Sequence, residues 1–393
     1  MLEKRVLLSA MSLDLGGAET HVITLARELA KRGYHVTVVS QGGRLAAGLE
    51  PFGIPHYYAR LHSRSPFALL GAIHTISDII QRERPAILHA HARIPAWVCR
   101  MASRRRHLPL VTTYHGVYAA GFPWNLVTEP GDLTVAVSED VAEHFVRHFG
   151  FDRRRVRVIL NGIDTARFTP ETSVEHMRSR YGVTGSPRIV HASRLSDEFA
   201  ETALSLIPAI AMLREHYPRI QAVIVGDGDR LDEVRRRAVE VNEAAAAGSG
   251  RATGPDGGDT PKPVIVTGGQ EEMSPMYALA DIVLGVARVA LEAMSCGKPV
   301  ILAGEGGFRG LLDENMMDEA MARNFTARGS GRRVSPVEVV SELRRALVDP
   351  GSLGRLGSLG RDIVLRHYSI EKMVDGIEAV YTEALEGLGR DVH

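Results

Sequence analysis

A glycine-rich segment near the N-terminus could bind a phosphate group. Gly16 and Gly17 fall between a predicted strand and the start of a predicted helix. The N–H groups and dipole of a helix N-terminus favour an anion, and glycine lets a ligand approach the backbone closely. An ordinary strand-to-helix turn is an equally good interpretation, because the segment matches neither G-x-G-x-x-G nor a loop that ends in G-K-[ST].

A charged pair lies at the end of another predicted strand. Residues 284–297 begin at a strand end and continue as a helix that Gly297 closes. Arg288 and Glu292 are four residues apart and therefore share one helical face. They predict either a surface salt bridge or a ligand-binding pair. In the second case Glu292 accepts ribose hydroxyl groups, while Arg288 or the helix N-terminus meets phosphate.

Two short patterns contain residue types that bind metal ions. Asp227 and Asp229 form a D-x-D sequence after a strand, but two carboxylates are a small ligand set for Mg²⁺ or Mn²⁺, and we favour a turn. His89 and His91 share one strand face and have no third ligand nearby in the sequence. We therefore predict no metal site, and we expect these histidines to line a cleft or to fill polar space in the core.

Basic residues are clustered in the first half of the chain. Residues 100–107 include four arginines, and Arg153–Arg155 adds three more. Solvated helix ends explain most such runs, but a basic surface could also meet anionic lipid at the inner leaflet. The whole chain has 47 basic and 47 acidic residues, so its net charge of +0 gives no support to a nucleic-acid partner.

The elements that must position these residues alternate between short apolar runs and helical patterns, which is typical of parallel sheets covered by helices. In the first half we predict strands at 5–11, 35–40, 87–91, 110–114, 134–138 and 156–160. In the second half we predict strands at 188–192, 222–226, 264–267, 282–284 and 300–303. The sequence therefore predicts two doubly wound α/β units in tandem.

The length of 393 residues suits two domains, which we place at 1–170 and 171–370. Residues 371–388 are amphipathic and predict a terminal helix that packs back on the N-terminal domain. Residues 243–262 are rich in glycine and alanine without apolar periodicity, and they predict a mobile surface insertion. Cys99 and Cys296 are far apart, which fits a reducing cytoplasmic setting. No stretch approaches the roughly 18 apolar residues that a membrane-spanning helix needs.

Six motifs occur in an order and spacing that resemble the retaining nucleotide-sugar transferases of glycosyltransferase family 4. They span nearly the full chain, and their specificity comes from the agreement of all six. The motifs are GGAET at 16–20, TYHG at 113–116, VILNGID at 158–164, SRL at 193–195, VGDG at 225–228 and LEAMSCGKPV at 291–300.

The resemblance implies the GT-B architecture, in which two Rossmann-like domains face a central cleft. The second domain would hold most of the donor and the first domain most of the acceptor. Gly16 and Gly17 would offer backbone N–H groups to the donor diphosphate, and the side chain of Arg194 would contact it. Glu292 would bind the ribose.

The resemblance also assigns the base and the transferred sugar. Thr267 and Gly268 would lie in the loop that meets the nucleotide base. His115 would lie near the transferred sugar and support the transition state. The family requires no metal, so we expect no cofactor beyond the donor substrate.

Two positions depart from the family pattern. Phe199 replaces a lysine that usually follows Arg194 by five residues, and Leu284 replaces a glutamate eight residues before Glu292. One phosphate-binding cation and one sugar-contacting carboxylate are therefore missing. We expect Arg288 to supply the lost positive charge, because it shares a helical face with Glu292.

These observations predict a hexosyltransferase that takes its sugar from a UDP- or GDP-sugar and retains the anomeric configuration. A hexose or N-acetylhexosamine would pass to a hydroxyl of a sugar or a lipid-linked acceptor, in cell-envelope glycan or glycolipid synthesis. The expected location is the cytoplasm, with peripheral membrane contact as an option. A sugar-nucleotide epimerase and a non-catalytic sugar-nucleotide-binding homologue remain as alternatives.

Overall fold

A computed structural model describes residues 4–14, 16–63, 65–248 and 261–390. The chain forms two compact units. The first unit contains Met1–Gly162 and Tyr368–His393, and the second contains Ile163–His367. The boundary precedes the expected position 170 because Phe168 is buried in the second unit, where its carbonyl oxygen accepts a 2.6 Å hydrogen bond from Ser295 Oγ.

The first unit is built on a parallel sheet of seven strands. The sheet has the order β3-β2-β1-β4-β5-β6-β7. Because β2 and β4 lie on opposite sides of β1, the carboxyl ends of β1 and β4 border a topological switch point. The strands are β1 (Arg5–Ser9), β2 (His35–Ser40), β3 (His56–Tyr58), β4 (Ile87–His91), β5 (Leu110–Tyr114), β6 (Leu133–Ala136) and β7 (Val156–Val158).

Four helices follow strands of this sheet: α1 (Gly17–Lys31), α2 (Pro66–Glu83), α3 (Arg93–Ser103) and α4 (Glu139–Phe149). Helix α1 buries the apolar face that its sequence predicts, with Leu25 and Leu29 inaccessible to solvent. Its first turn carries Glu19 and its last turn Lys31, and both charges complement the helix dipole. The helix begins directly at the glycine pair.

The second unit repeats the same strand order in a six-stranded sheet, β10-β9-β8-β11-β12-β13. All neighbouring strands are parallel except β12 and β13. Two doubly wound α/β units, as the sequence predicts, are therefore confirmed. The strands are β8 (Arg188–Ala192), β9 (Gln221–Val225), β10 (Val264–Gly268), β11 (Ile282–Gly285), β12 (Val300–Gly304) and β13 (Gly307–Leu311).

The helices of the second unit are α5 (Glu175–Tyr181), α6 (Glu201–Leu213), α7 (Leu231–Gly248), α8 (Ser274–Ala278), α9 (Arg288–Ser295), α10 (Met317–Ala322), α11 (Pro336–Val348) and α12 (Pro350–His367). Helix α7 corrects part of the predicted insertion at 243–262. Residues 243–248 are helical, because an alanine run favours the helix. Residues 249–260 of that prediction lie outside the described residues.

Both units place an alanine in a backbone conformation that favours glycine. Ala92, between β4 and α3, has φ 85°, and Ala287, between β11 and α9, has φ 52°. The Ala92 N–H donates to the Thr113 carbonyl at 3.1 Å, and the Ala287 N–H donates to the Phe325 carbonyl at 2.8 Å. Each turn therefore stores strain that surrounding hydrogen bonds hold in place.

The terminal helix α13 (Ile370–Arg390) belongs to the first unit. Its apolar residues share one core with β1 and α1. Outside this core, Arg32 on the first unit donates to Asp375 at 2.6 Å. No helix in the described part of the chain is both long and apolar enough to cross a membrane. The buried side chains of α13 are Met373, Val374, Ile377, Val380, Tyr381 and Ala384.

Candidate functional site

Candidate residues gather at the carboxyl edge of each sheet. On the first edge, Gly16 caps the N-terminus of α1, and its carbonyl accepts hydrogen bonds from the backbone N–H of Thr20 at 3.0 Å and from its Oγ1 at 2.7 Å. A Cβ on Gly16 would collide with the Glu19 carboxylate, whereas a Cβ on Gly17 would meet no atom within 4 Å. The N-terminus of α1 at Gly17 is therefore sterically open, as an anion site at this helix end requires.

Three histidines meet at this same edge, and we call them the histidine triad: His21, His91 and His115. His21 lies in the second turn of α1, His91 ends β4, and His115 follows β5. His91 Nδ1 lies 3.2 Å from His115 Nε2, and the two rings are stacked with centroids 5.4 Å apart. The ring of His21 lies 4.8 Å from that of His115 and 5.6 Å from that of His91.

His89 has the second of the two roles that the sequence predicts, which is to fill polar space in the core. It is fully buried, with Nδ1 2.7 Å from the Tyr381 hydroxyl and Nε2 2.6 Å from Thr113 Oγ1. Its ring also contacts that of His91, with centroids 4.3 Å apart and planes tilted by 30°. His89 therefore fills polar space in the core, whereas His91 faces the other imidazoles of the triad.

Burial lowers the pKa of His89, His91 and His115, so these three imidazoles are uncharged at neutral pH. It lowers the pKa of His89 to about 3 and that of His115 to about 4, because desolvation penalises the protonated ring. The pKa of His91 is also held well below its ordinary value, first by burial and then by the neighbouring histidines. The first edge therefore offers neutral donors and acceptors rather than cations.

On the second edge, the loop after β8 presents Arg194. This side chain is exposed, and its guanidinium carbon lies 4.5 Å from the centroid of the Phe199 ring. Phe199 stands where the family pattern has lysine. The substitution removes one positive charge. It also supplies an aromatic ring that orders the Arg194 guanidinium through a cation–π contact.

His191 connects the two positions that depart from the family pattern. Its Nδ1 lies 3.0 Å from the Leu284 carbonyl oxygen, which can only accept, so Nδ1 carries the proton. Its Nε2 lies 3.0 Å from Ser193 Oγ, which is also 3.2 Å from the Phe199 carbonyl oxygen. Burial lowers the pKa of His191 to about 4. Sequence reasoning missed this residue, although a histidine inside a buried strand was the available signal.

The pair at the start of α9 is a largely buried ion pair rather than a surface salt bridge. Arg288 Nε donates to Glu292 Oε1 at 2.7 Å, and the two side chains are only 18% and 9% exposed. Burial raises the pKa of Glu292, while Arg288 and a hydrogen bond from the Tyr277 hydroxyl oppose that rise. The positive charge of Arg288 is therefore paired with the Glu292 carboxylate.

The loops after β9 and β10 complete this edge. A Cβ on Gly226 would collide with the Ser193 carbonyl oxygen, and a Cβ on Gly228 would lie 2.5 Å from the Leu195 carbonyl oxygen. These contacts favour the turn interpretation of 226–229. Among the described residues, the histidine triad is the one metal-compatible group found, and it includes neither aspartate of the D-x-D sequence.

Thr267 and Gly268 end β10 beside that turn. Gly268 has φ 76°, its carbonyl accepts from the Gly226 N–H at 3.1 Å, and it also accepts from Thr267 Oγ1 at 2.8 Å. The structure thus brings the two predicted base-contacting residues to the same sheet edge as Arg194, Arg288 and Glu292.

Two family models match the chain, Glycosyltransferase Family 4 over residues 15–167 and Glycosyl transferases group 1 over residues 186–328. The chain is a GT-B glycosyltransferase of the family 4 type. The glycosyltransferase resembles the D-inositol 3-phosphate glycosyltransferase of Geodermatophilus obscurus, with 27% identity over 95% of this chain and 86% of the relative. It also resembles a phosphatidylinositol N-acetylglucosaminyltransferase protein of Arabidopsis thaliana, with 24% identity over 77% of this chain and 68% of the relative.

Solved structures share the fold of the glycosyltransferase. A glycosyltransferase from Rickettsia africae has a TM-score of 0.76 at 20% identity and covers 97% of this chain and 99% of its own. HepE from Anabaena, solved in complex with UDP-glucose, has a TM-score of 0.74 at 20% identity and covers 96% of this chain and 99% of its own. These likenesses confirm the GT-B fold class.

Proposed function

We propose that the glycosyltransferase moves a hexose or N-acetylhexosamine from a UDP- or GDP-sugar to a hydroxyl acceptor and retains the anomeric configuration. The observation that carries this proposal is the buried carboxylate of Glu292 at the switch point of the second sheet, where open α/β sheets bind ligands. A carboxylate fixed there by Arg288 and Tyr277 is suited to accept the two hydroxyl groups of a ribose.

The other donor contacts are assigned to the same edge. Arg194, ordered on Phe199, is the cation for the diphosphate. Thr267 and Gly268 meet the nucleotide base. Arg288 belongs to the donor site because it holds Glu292 in position, and this role refines the direct phosphate contact that the sequence suggests.

The first unit supplies the remaining roles. The N-terminus of α1, which is sterically open at Gly17, donates the backbone N–H groups of Gly16 and Gly17 to the diphosphate as it leaves. His115, uncharged at neutral pH, hydrogen-bonds the transferred sugar as charge develops on it. The bond from the anomeric carbon to phosphate breaks, the bond to the acceptor oxygen forms on the same face, and the acceptor proton passes to the departing phosphate oxygen. The chemistry requires no metal.

The proposed acceptor is a sugar or a lipid-linked hydroxyl, reached from the cytoplasm. Relatives named for inositol phosphate and phosphatidylinositol substrates support this class. The basic run at 100–107 offers less positive charge to anionic lipid than its four arginines suggest, because Arg100 pairs with Glu129 at 3.2 Å and with Asp132 at 3.3 Å. Contact with anionic lipid then depends on Arg104, Arg105 and Arg106.

Thermal-shift screening against UDP, GDP, ADP and their sugars tests the donor site. A ligand present at a hundred times its dissociation constant stabilises the fold by about 2.7 kcal/mol, so the donor stands out among the nucleotides. Absence of a shift with every nucleotide would contradict the proposal.

An assay with and without acceptor separates the alternatives. An epimerase interconverts the free UDP-sugar in an NMR time course without acceptor, whereas the transferase does not. A non-catalytic homologue binds nucleotide but yields neither transfer nor donor hydrolysis. Either result would replace the transferase proposal.

A further inference from the structure

The histidine triad has the composition of a metal site. The three imidazoles each offer one nitrogen, and these nitrogens all lie within 4.8 Å of one another. Three separate elements bring them there, since the ligands come from α1, the end of β4 and the residue after β5. The β4 and β5 positions are fixed by sheet pairing between His91 and Thr113. Ligands on rigid elements give a site that needs little rearrangement.

The spacing suits a small divalent ion. Zn²⁺ binds histidine nitrogen at about 2.0–2.1 Å, so two ligands on a tetrahedron lie about 3.3 Å apart. His91 Nδ1 and His115 Nε2 are already 3.2 Å apart. The ligand atoms of the widest pair are at most 4.8 Å apart, so this pair must close by up to about 1.5 Å for one tetrahedral ion to contact all three histidines.

Neighbouring groups orient the ligands as outer-shell residues do in metal sites. His21 Nδ1 lies 3.2 Å from Asn161 Oδ1, which fixes the proton on Nδ1 and directs Nε2 toward the triad. The ring of His91 packs against the tilted ring of His89, which is hydrogen-bonded to Tyr381 and Thr113.

The ligand type also suits a cation of this kind. Three imidazoles are a known ligand set for Zn²⁺, and the remaining coordination position would take water. His21 and His91 are buried and His115 is partly exposed, so solvent reaches the triad at His115.

We propose that His21, His91 and His115 together bind one divalent transition-metal ion of the Zn²⁺ type. The bound ion would occupy the ring nitrogen of His115. On the proposed function, which this second step rests on, the ion would therefore inhibit transfer, because His115 could no longer contact the sugar. The site would make the glycosyltransferase sensitive to zinc although its chemistry needs no metal.

The test uses the full chain after removal of metal with a chelator. Co²⁺ is titrated while visible d–d absorption is recorded, because intense bands report four-coordinate binding. Zn²⁺ then competes for the same site. We expect one equivalent of Co²⁺ to bind, Zn²⁺ to displace it, and His21→Asn and His115→Asn each to weaken binding about 100-fold or more. His74→Asn, at a side chain that is 83% exposed on α2, is the matched control and should leave binding unchanged.

Three results would overturn the site: only the weak spectrum of hexahydrated Co²⁺, unchanged affinity in His21→Asn, or an equal loss in His74→Asn. Thermal unfolding of each variant shows whether it is still folded. Because His115 is partly exposed, His115→Asn is the variant that should perturb the fold least. The binding result does not depend on the donor assignment. If Co²⁺ binds as expected but no nucleotide does, the proposed function fails while the metal site stands.

Discussion

The two sheet edges of the glycosyltransferase share a scaffold but differ in chemistry. Both sheets have the strand order 3-2-1-4-5-6 around a switch point, and the first sheet adds one strand. The first edge collects the histidine triad, in which burial lowers the pKa of His91 and of His115, whereas the second edge carries Arg194 and the largely buried ion pair of Arg288 and Glu292. The fold therefore decides where ligands bind, and the side chains decide which ligands those are.

The likeness extends to backbone strain. Ala92 and Ala287 occupy matching turns, each between the fourth strand of its unit and the following helix, and both have positive φ. The geometry of the switch point is thus repeated even where the side chains have diverged. Four experiments can break or sharpen this comparison.

The largest expected effect is on the stability of the second edge. Glu292→Ala removes the buried carboxylate that the Arg288 and Tyr277 side chains contact, and we expect a loss of about 3–5 kcal/mol in the free energy of unfolding. Urea unfolding measures it. Glu240→Ala, which removes an exposed partner of Arg237, is the control and should cost less than about 1 kcal/mol. Equal losses in Glu292→Ala and Glu240→Ala would show that the Arg288–Glu292 pair contributes no more to stability than an exposed ion pair.

The charged edge should also dominate turnover. Arg194→Ala removes the proposed diphosphate cation, and we expect kcat/KM to fall about 100- to 1000-fold, as for a lost transition-state donor. Phe199→Leu keeps the charge and removes only the stacked ring, so its loss should stay below about tenfold. Transfer assays at matched donor concentrations measure both. A larger loss in Phe199→Leu would contradict the assignment of the charge to Arg194.

A fall in pH should lower the stability of the first unit before that of the second. Burial holds the pKa of His115 at about 4 and that of His89 at about 3, against an ordinary value near 6.5. Such histidines contribute stability above pH 6.5, and this contribution is lost as the pH falls toward the folded pKa, since the unfolded chain binds more protons. The loss is on the order of 3 kcal/mol for His115. The second unit has one comparable histidine among its described residues, His191.

Tryptophan fluorescence can measure this difference. Trp97 and Trp124, the two tryptophans of the chain, both lie in the first unit. In metal-free protein, acid titration should change their fluorescence at a higher pH than it changes the far-UV circular dichroism of the whole chain. Coincident transitions would show that the two units lose stability together.

The smallest effect concerns the shared strain. Ala92→Gly and Ala287→Gly relieve a positive φ, and each should raise the free energy of unfolding by about 1 kcal/mol. Ala96→Gly, inside α3, should lower it by about 1 kcal/mol. Denaturant unfolding compares the three. Destabilisation by Ala92→Gly would mean that the turn is not strained.

The sequence predicts the central strands well because they are buried on both faces. The runs at 35–40, 87–91, 110–114 and 188–192 agree with β2, β4, β5 and β8 to the residue. The edge strands β3 and β13 were missed. β3 has three residues and none of them is buried, and β13 contains Gly307 and Gly310 at positive φ, so neither shows an apolar run.

The candidate site divides in the same way. Arg288 and Glu292 could be paired from the sequence because the helical period alone brings them together. The histidine triad could not, since His21, His91 and His115 are far apart in the chain and meet only through sheet order. A search for metal ligands close to His91 in the sequence therefore could not find His21 and His115.

The return of α13 to the first unit also affects how the glycosyltransferase is made. Residues 163–367 are contiguous and contain all the described strands of the second unit, so this unit can fold as soon as they leave the ribosome. The core around β1 and α1 must wait for residues 373–384, which are synthesised after the second unit. The N-terminal half is thus translated first but completed second, and its exposed apolar face is where a chaperone would be needed during synthesis.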